Sequence, residues 1–263
     1  MKGFFSLSLL TGLLFGAYID TDIDGVEDSL DLCKNTPFDQ LVDAFGCSEN
    51  ASENIWTLKA GTELGFDTFD EKSLSYHFSI DYNMQSWSMG ISNANYIGYN
   101  ENNTSTRETG DIYTYIGYEI PNKNFLTTFA IGMKIATADE SVGTGENDYY
   151  MSTQLQSVSN EHNTKLFSTL SYTFTGDTKY IAYEDVFSYT VGLGYVVNEA
   201  YYTSLYYENS QSIYKDTESY KALVWSNHYT YDEDYFIEMA YTRGLDIFSY
   251  KHLFSFSLGV TFE

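Results

Sequence analysis

The chain has 263 residues, 37 Asp+Glu against 13 Lys+Arg, a formal net charge of −24, and 18% Phe, Trp and Tyr. So acidic a balance excludes a nucleic-acid binder that works by neutralising phosphates. The aromatic load excludes a disordered chain, and after residue 17 no apolar run reaches the roughly 18 residues of a membrane helix.

Residues 1–17 read as a secretory signal peptide. Lys2 gives a positive start, Phe4 to Phe15 is mostly apolar, and Gly16-Ala17 offers a small-residue cleavage point. Export sets the reading of Cys33 and Cys47, the only two cysteines, fourteen residues apart. In an oxidising compartment an isolated even pair reads as a disulfide.

Residues 18–50 carry a candidate calcium loop. Asp20, Asp22, Asp24, Asp28 and Asp31 occupy positions 1, 3, 5, 9 and 12 of a twelve-residue loop, with Gly25 at position 6. Calcium takes six to eight hard oxygen ligands, which alternating side chains supply from one side of a curled loop. Gly25 permits the sharp turn, and the carbonyl of Val26 is the expected position-7 ligand. Between Tyr18 and Asn50 stand nine acids and one base, so the segment repels itself without a cation and calcium is expected to order it.

The same stretch resembles a thrombospondin type 3 repeat. The pattern runs through Asp20, Asp22, Asp24, Gly25, Val26, Asp28, Asp31 and Cys33, then Thr36-Pro37, Val42-Asp43 and Gly46-Cys47. The resemblance covers about a tenth of the chain. It implies calcium ligation by the aspartates and a Cys33–Cys47 bridge. Lys34 stands where that family often has proline, and the repeat is single. Asp at position 12 shortens the reach for bidentate binding and points to a weaker site.

From residue 55 to 263 the chain alternates with period two. Trp56, Leu58, Ala60, Leu64 and Phe66 share one face, and Thr62 is its exception. Leu74, Tyr76, Phe78, Ile80 and Tyr82 oppose Ser75, His77, Ser79 and Asp81. Phe187, Tyr189, Val191, Leu193, Tyr195 and Val197 oppose Ser188, Thr190, Gly192 and Gly194. This is strand periodicity, and the face opposite the apolar one is small and polar. Twelve such segments are expected, over 55–68, 73–83, 86–98, 110–120, 124–137, 148–159, 164–175, 185–197, 200–213, 219–231, 234–243 and 250–262. Their connections alternate between short turns, such as Asn83-Met84-Gln85 and Asn198-Glu199, and longer polar loops, such as 99–109 and 138–147. Short turns on one side and long loops on the other predict an all-β antiparallel transmembrane barrel with the lipid bilayer as its partner. An even strand count returns both ends to the periplasmic side of a Gram-negative outer membrane.

The final apolar face of Phe254, Phe256, Leu258, Val260 and Phe262 resembles the C-terminal signature of bacterial outer-membrane barrels, with Glu263 as a departure. The aromatic excess fits interfacial girdles. A secreted soluble β-sandwich or barrel would alternate similarly. Evenly spaced strands and asymmetric loops favour the membrane.

In a membrane barrel the polar face lines the lumen. Its candidate residues are Glu63, Asp67, His77, Asp81, Asp111, Glu119 and Lys134, together with Lys59, Lys165, Glu208 and Glu238. Acids outnumber lysines, which biases a pore toward cations or polar neutral solutes. Barrels of about eight strands fill with side chains and those of about sixteen leave a water channel. Twelve falls between, and inward glycines such as Gly192 and Gly194 are expected to leave space. The leading expectation is a narrow porin-like channel, and the second is a non-transporting anchor. The third is an outer-membrane hydrolase, because His77-Phe78-Ser79 places a base and a hydroxyl on one face. No third catalytic partner accompanies that pair, and it reads as two lumenal polar residues rather than an enzyme site.

Overall fold

A computed structural model describes Val26 and residues 55–66, 72–99, 105–121, 125–138, 145–157, 163–177, 182–198, 200–232, 234–246 and 249–262. Of the candidate calcium loop only Val26 falls within them, and it is buried, at 7% exposure. Asp20, Asp22, Asp24, Asp28, Asp31, Cys33, Cys47 and Asp67 lie outside the described residues.

Twelve strands follow in chain order: β1 (Ile55–Phe66), β2 (Lys72–Met84), β3 (Trp87–Tyr99), β4 (Ser105–Pro121), β5 (Phe125–Ile135) and β6 (Asp148–Ser157), then β7 (Thr164–Phe174), β8 (Val186–Asn198), β9 (Tyr201–Ser210), β10 (Tyr220–Asp232), β11 (Tyr235–Gly244) and β12 (His252–Phe262). Each pairs antiparallel with its neighbours in sequence. β12 pairs back onto β1, from Trp56↔Phe262 to Phe66↔His252, and closes the barrel. Closure leaves no strand edge with unpaired N–H and C=O groups, the condition a sheet must meet in hydrocarbon. All twelve expected segments are strands. β4 begins at Ser105, not near residue 110, because its backbone stays paired with β3 up to Tyr99. The expected long loop over 99–109 is therefore short.

Both ends of the described barrel and the connections after β2, β4, β6, β8 and β10 lie at one rim, the turn rim. Ile55 pairs with Asn83 beside the β2–β3 turn, and Phe262 pairs with Trp56. At that turn Gln85 takes φ 53°, the left-handed region that a chain reversal demands and that side chains resist. The longer connections gather at the opposite loop rim.

Alternation decides the polarity. On β5, Ile131 points outward and is 63% exposed, whereas Lys134, three residues on, points inward and is 3% exposed. Leu166, Leu193, Leu205, Trp225, Met239 and Leu258 join Ile131 on an outer wall of exposed large apolar side chains. Such a continuous apolar surface is a liability in water and is matched to lipid. Aromatic pairs mark its two borders. Trp56 packs on Tyr82 and Trp87 on Tyr118 near the turn rim, at ring separations of 4.6 and 4.7 Å. Tyr172–Phe174 and Tyr241–Phe254, at 4.9 and 5.1 Å, lie toward the loop rim. Rings with an apolar body and a polar tip settle at these depths.

Candidate functional site in the barrel lumen

The inner wall divides into a polar arc, two aromatic patches and an ion-pair knot. The arc runs over β12, β1 and β2, where direct cross-strand partners meet. Glu63 stands between Ser255 and Ser75. Both hydroxyls donate to its carboxylate, Ser255 Oγ to Oε1 at 3.2 Å and Ser75 Oγ to Oε2 at 3.3 Å. One rung nearer the turn rim, Gly61 stands between Ser257 and His77. With no side chain in the way, His77 Nε2 and Ser257 Oγ meet above it at 2.9 Å. A Cβ on Gly61 would overlap both. His77 Nδ1 has no hydrogen-bond partner among the described residues.

The next rung carries Lys59, whose Nζ lies 2.9 Å from Glu238 Oε2 on β11. The Nδ1 of His228 lies 3.7 Å from the other oxygen of Glu238. Asp81, nearest the turn rim on β2, accepts the Tyr115 hydroxyl at 2.8 Å and the Ser79 hydroxyl at 3.1 Å. Tyr115 sits two strands away, and it reaches Asp81 over Gly90, their common cross-strand partner. His77 and Ser79 thus bond to Ser257 and Asp81 respectively and not to each other.

The aromatic patches use the same device. Tyr113 and Tyr150 are buried together with Tyr115 against them. The Tyr150 hydroxyl crosses Gly132 to donate to the Thr114 carbonyl at 2.8 Å. Phe167, Tyr206 and Val224 form the second patch, with the Phe167 and Tyr206 rings 5.9 Å apart over Gly192. Tyr202 lies over Gly194. The inward glycines Gly192 and Gly194 therefore leave no open space, contrary to expectation. Each makes room for an aromatic ring from a neighbouring strand. Single-strand patterning cannot show this, because the ring and its glycine lie on different strands and meet only through register.

The knot lies at the loop rim. Lys134 contacts Asp148 directly and lies 3.7 Å from Asp111 Oδ2. Asp111 Oδ1 also accepts the N–H groups of Thr137 and Ala138 at 2.9 and 2.8 Å, and Asp148 Oδ1 accepts the Gly176 N–H at 2.9 Å. One lysine and two carboxylates thereby hold two loop backbones against the barrel mouth. All three side chains are buried. Sequence reading placed Asp111 and Lys134 on the inner face but did not foresee Asp148 as their partner.

Among the lumen candidates, then, Glu63, His77 and Asp81 come together on the arc. Asp111 and Lys134 belong to the knot. Glu119 stands apart near the turn rim of β4, half-buried and opposite Thr128. Lys165 and Glu208 are buried on the inner wall, and Glu208 accepts the Tyr220 hydroxyl at 2.7 Å. Among the described residues no three potential metal-binding side chains cluster.

No family model matches the chain, and no curated protein does. Its fold matches solved outer-membrane barrels. An outer-membrane channel from Pseudomonas putida F1 aligns at TM-score 0.60 and 10% identity, over 80% of this chain and 96% of that one. The KdgM porin, also solved in complex with disordered oligogalacturonate, aligns at TM-score 0.53 and 9% identity, over 79% and 98%. The β domain of the Bordetella autotransporter BrkA aligns at 0.50 and 8%, over 80% and 99%. At these identities the similarity is one of fold: a closed outer-membrane-type barrel shared by a channel, a porin and the β domain of an autotransporter.

Proposed function

We propose that this protein is a narrow outer-membrane channel for small cations or small polar neutral solutes. The observation that carries this reading is the polar arc, a run of half-buried Glu63, His77, Lys59 and Asp81 along one wall of a closed barrel with an apolar exterior. Buried aromatic patches narrow the remaining lumen, so large solutes do not fit the reading. Acid excess sets its cation bias. The fold matches include a channel and a porin, which supports the class without naming a solute. His77 and Ser79 bonding elsewhere supports a transport role over a hydrolytic one. The test is single-channel current from the refolded protein in a planar bilayer. Stable steps are the expected result. A silent protein that has inserted would favour the non-transporting anchor.

The same reading gives residues 1–17 as a cleaved signal and places residues 18–50 in the periplasm beside the turn rim, where Ile55 enters β1. There Asp20, Asp22, Asp24, Asp28 and Asp31, with the Val26 carbonyl, would hold one structural Ca2+ ion, with Cys33 and Cys47 bridged. Paired Asp22→Ala and Asp24→Ala substitutions are expected to make this segment protease-sensitive in calcium while the barrel stays intact. Equal sensitivity of the unaltered protein with and without calcium would count against the site.

A further inference from the structure

The lumen acids differ in what cancels their charge. Glu238 is paired with Lys59, and Asp111 and Asp148 share Lys134. Glu63 accepts hydrogen bonds from two serine hydroxyls, and Asp81 from a serine and a tyrosine hydroxyl. Among the described residues no cationic nitrogen lies within ion-pair distance of either. Hydroxyl donors orient a carboxylate without pairing it with a cation. Both side chains are half-buried, whereas the carboxylates of the knot are buried beneath loop backbone.

Position agrees with charge. Glu63 lies on β1 toward the loop rim and Asp81 on β2 toward the turn rim. Between them the wall carries His77, Ser79 and Lys59. Elsewhere the wall carries the buried rings of Tyr113, Tyr150, Phe167 and Tyr206, the buried Lys165 and Glu208, and Glu119 at the turn rim of β4.

We infer that the conducting path follows the β12–β1–β2 wall, and that Glu63 and Asp81 are the residues that select cations on it. The inference rests on the channel reading above and names the residues that would give it specificity. A cation would shed part of its water for a carboxylate already fixed by its hydroxyl donors, first at one and then at the other. Two separated weak sites let an ion enter and leave.

The test is the reversal potential of the refolded protein under a KCl gradient. Glu63→Gln and Asp81→Asn keep the size and remove the charge, with one hydroxyl donating to the amide oxygen and the other able to accept from the amide nitrogen. Each is expected to lower the K+ to Cl− permeability ratio severalfold, and both together to bring it near unity. A second measurement covers variants that fold poorly. With Cys33 and Cys47 replaced by serine, Ser255→Cys, half-buried on the arc, is expected to let a cationic methanethiosulfonate reagent block the current, whereas Ser171→Cys, half-buried on β7 across the barrel, is not. A conducting protein whose permeability ratio is the same in Glu63→Gln, Asp81→Asn and the parent overturns the inference and leaves the channel reading standing. Block at Ser171→Cys equal to that at Ser255→Cys overturns the path. A parent that inserts without conducting overturns the channel reading and this inference with it.

Discussion

The knot at the loop rim and the arc on β12–β1–β2 are built from the same residue types and do opposite things with them. At the knot, Asp111 and Asp148 share Lys134, with backbone N–H groups as their remaining donors. On the arc, Glu63 and Asp81 have hydroxyl donors and no cation. A carboxylate bonded to a cation and to backbone is a fastener, because moving it exposes unpaired charge. One bonded to hydroxyls is held in place yet still presents its charge. The lesson is that a count of lumen acids says little about selectivity until each acid's partner is known.

The sharpest break of this comparison is Lys134→Met. It leaves Asp111 and Asp148 facing each other without a counter-charge, and removing one partner of a buried pair costs about 3–5 kcal/mol. The denaturant midpoint for folding into liposomes should fall accordingly, and protease should reach the loops near Thr137 and Gly176. Glu63→Gln should cost about 1 kcal/mol or less, since one serine hydroxyl can still donate to the amide oxygen and the other can accept from the amide NH2. Equal losses for the two variants would erase the distinction between fastener and selector.

The outer face of the same strand supplies the next test. Ile131→Arg places a charge in the apolar band, three residues from Lys134 but on the other side of the wall. At the bilayer midplane such a change costs about 2–4 kcal/mol. In a soluble barrel this exposed position would tolerate arginine almost freely, so a neutral result in liposomes would contradict the membrane assignment. Gly90→Ala comes third. Its Cβ would collide with Asp81 Oδ1 and the Tyr115 ring, so the loss should be about 1–3 kcal/mol. Part of it should be recovered by Tyr115→Phe, which gives up the hydrogen bond to Asp81 and lets the ring move away from the new methyl group.

The barrel itself was legible in the sequence because its physics is local. Alternation along each strand assigns faces, as in Leu74 to Tyr82, and turn chemistry separates the strands. Inward placement of Glu63, His77, Asp81, Asp111, Glu119 and Lys134 followed from the same parity. What parity could not show was partnership. Lys59 and Glu238 are 179 residues apart and His77 and Ser257 are 180 apart, and such pairs depend on the closing register of β1 with β12. The early start of β4 was hidden because the polar stretch Ser105–Thr109 carries no apolar alternation, and pairing with β3 holds it as strand. The glycines misled in a more instructive way. Absence of a side chain at Gly192 reads as space until Phe167 and Tyr206 are known to fill it.

The smallest expected effect lies at the rim opposite the knot. Gln85 holds φ 53° in the β2–β3 turn. A left-handed residue with a side chain costs roughly 1 kcal/mol, and glycine gives back about 0.5–1 kcal/mol through the freedom it adds to the unfolded chain. Gln85→Gly should therefore stabilise the barrel by only a few tenths of a kcal/mol, whereas Gln85→Val, branched at Cβ, should destabilise it by about 1 kcal/mol. The value of so small an effect is as a partner for Lys134→Met. The two positions lie at opposite rims with no shared contact, so their effects should add to within about 0.5 kcal/mol. Additivity would show that the knot fastens only its own rim. A coupling well beyond that would mean that strain at the loop mouth travels the length of the strands, and the polar arc between the rims would then sense the state of the loops.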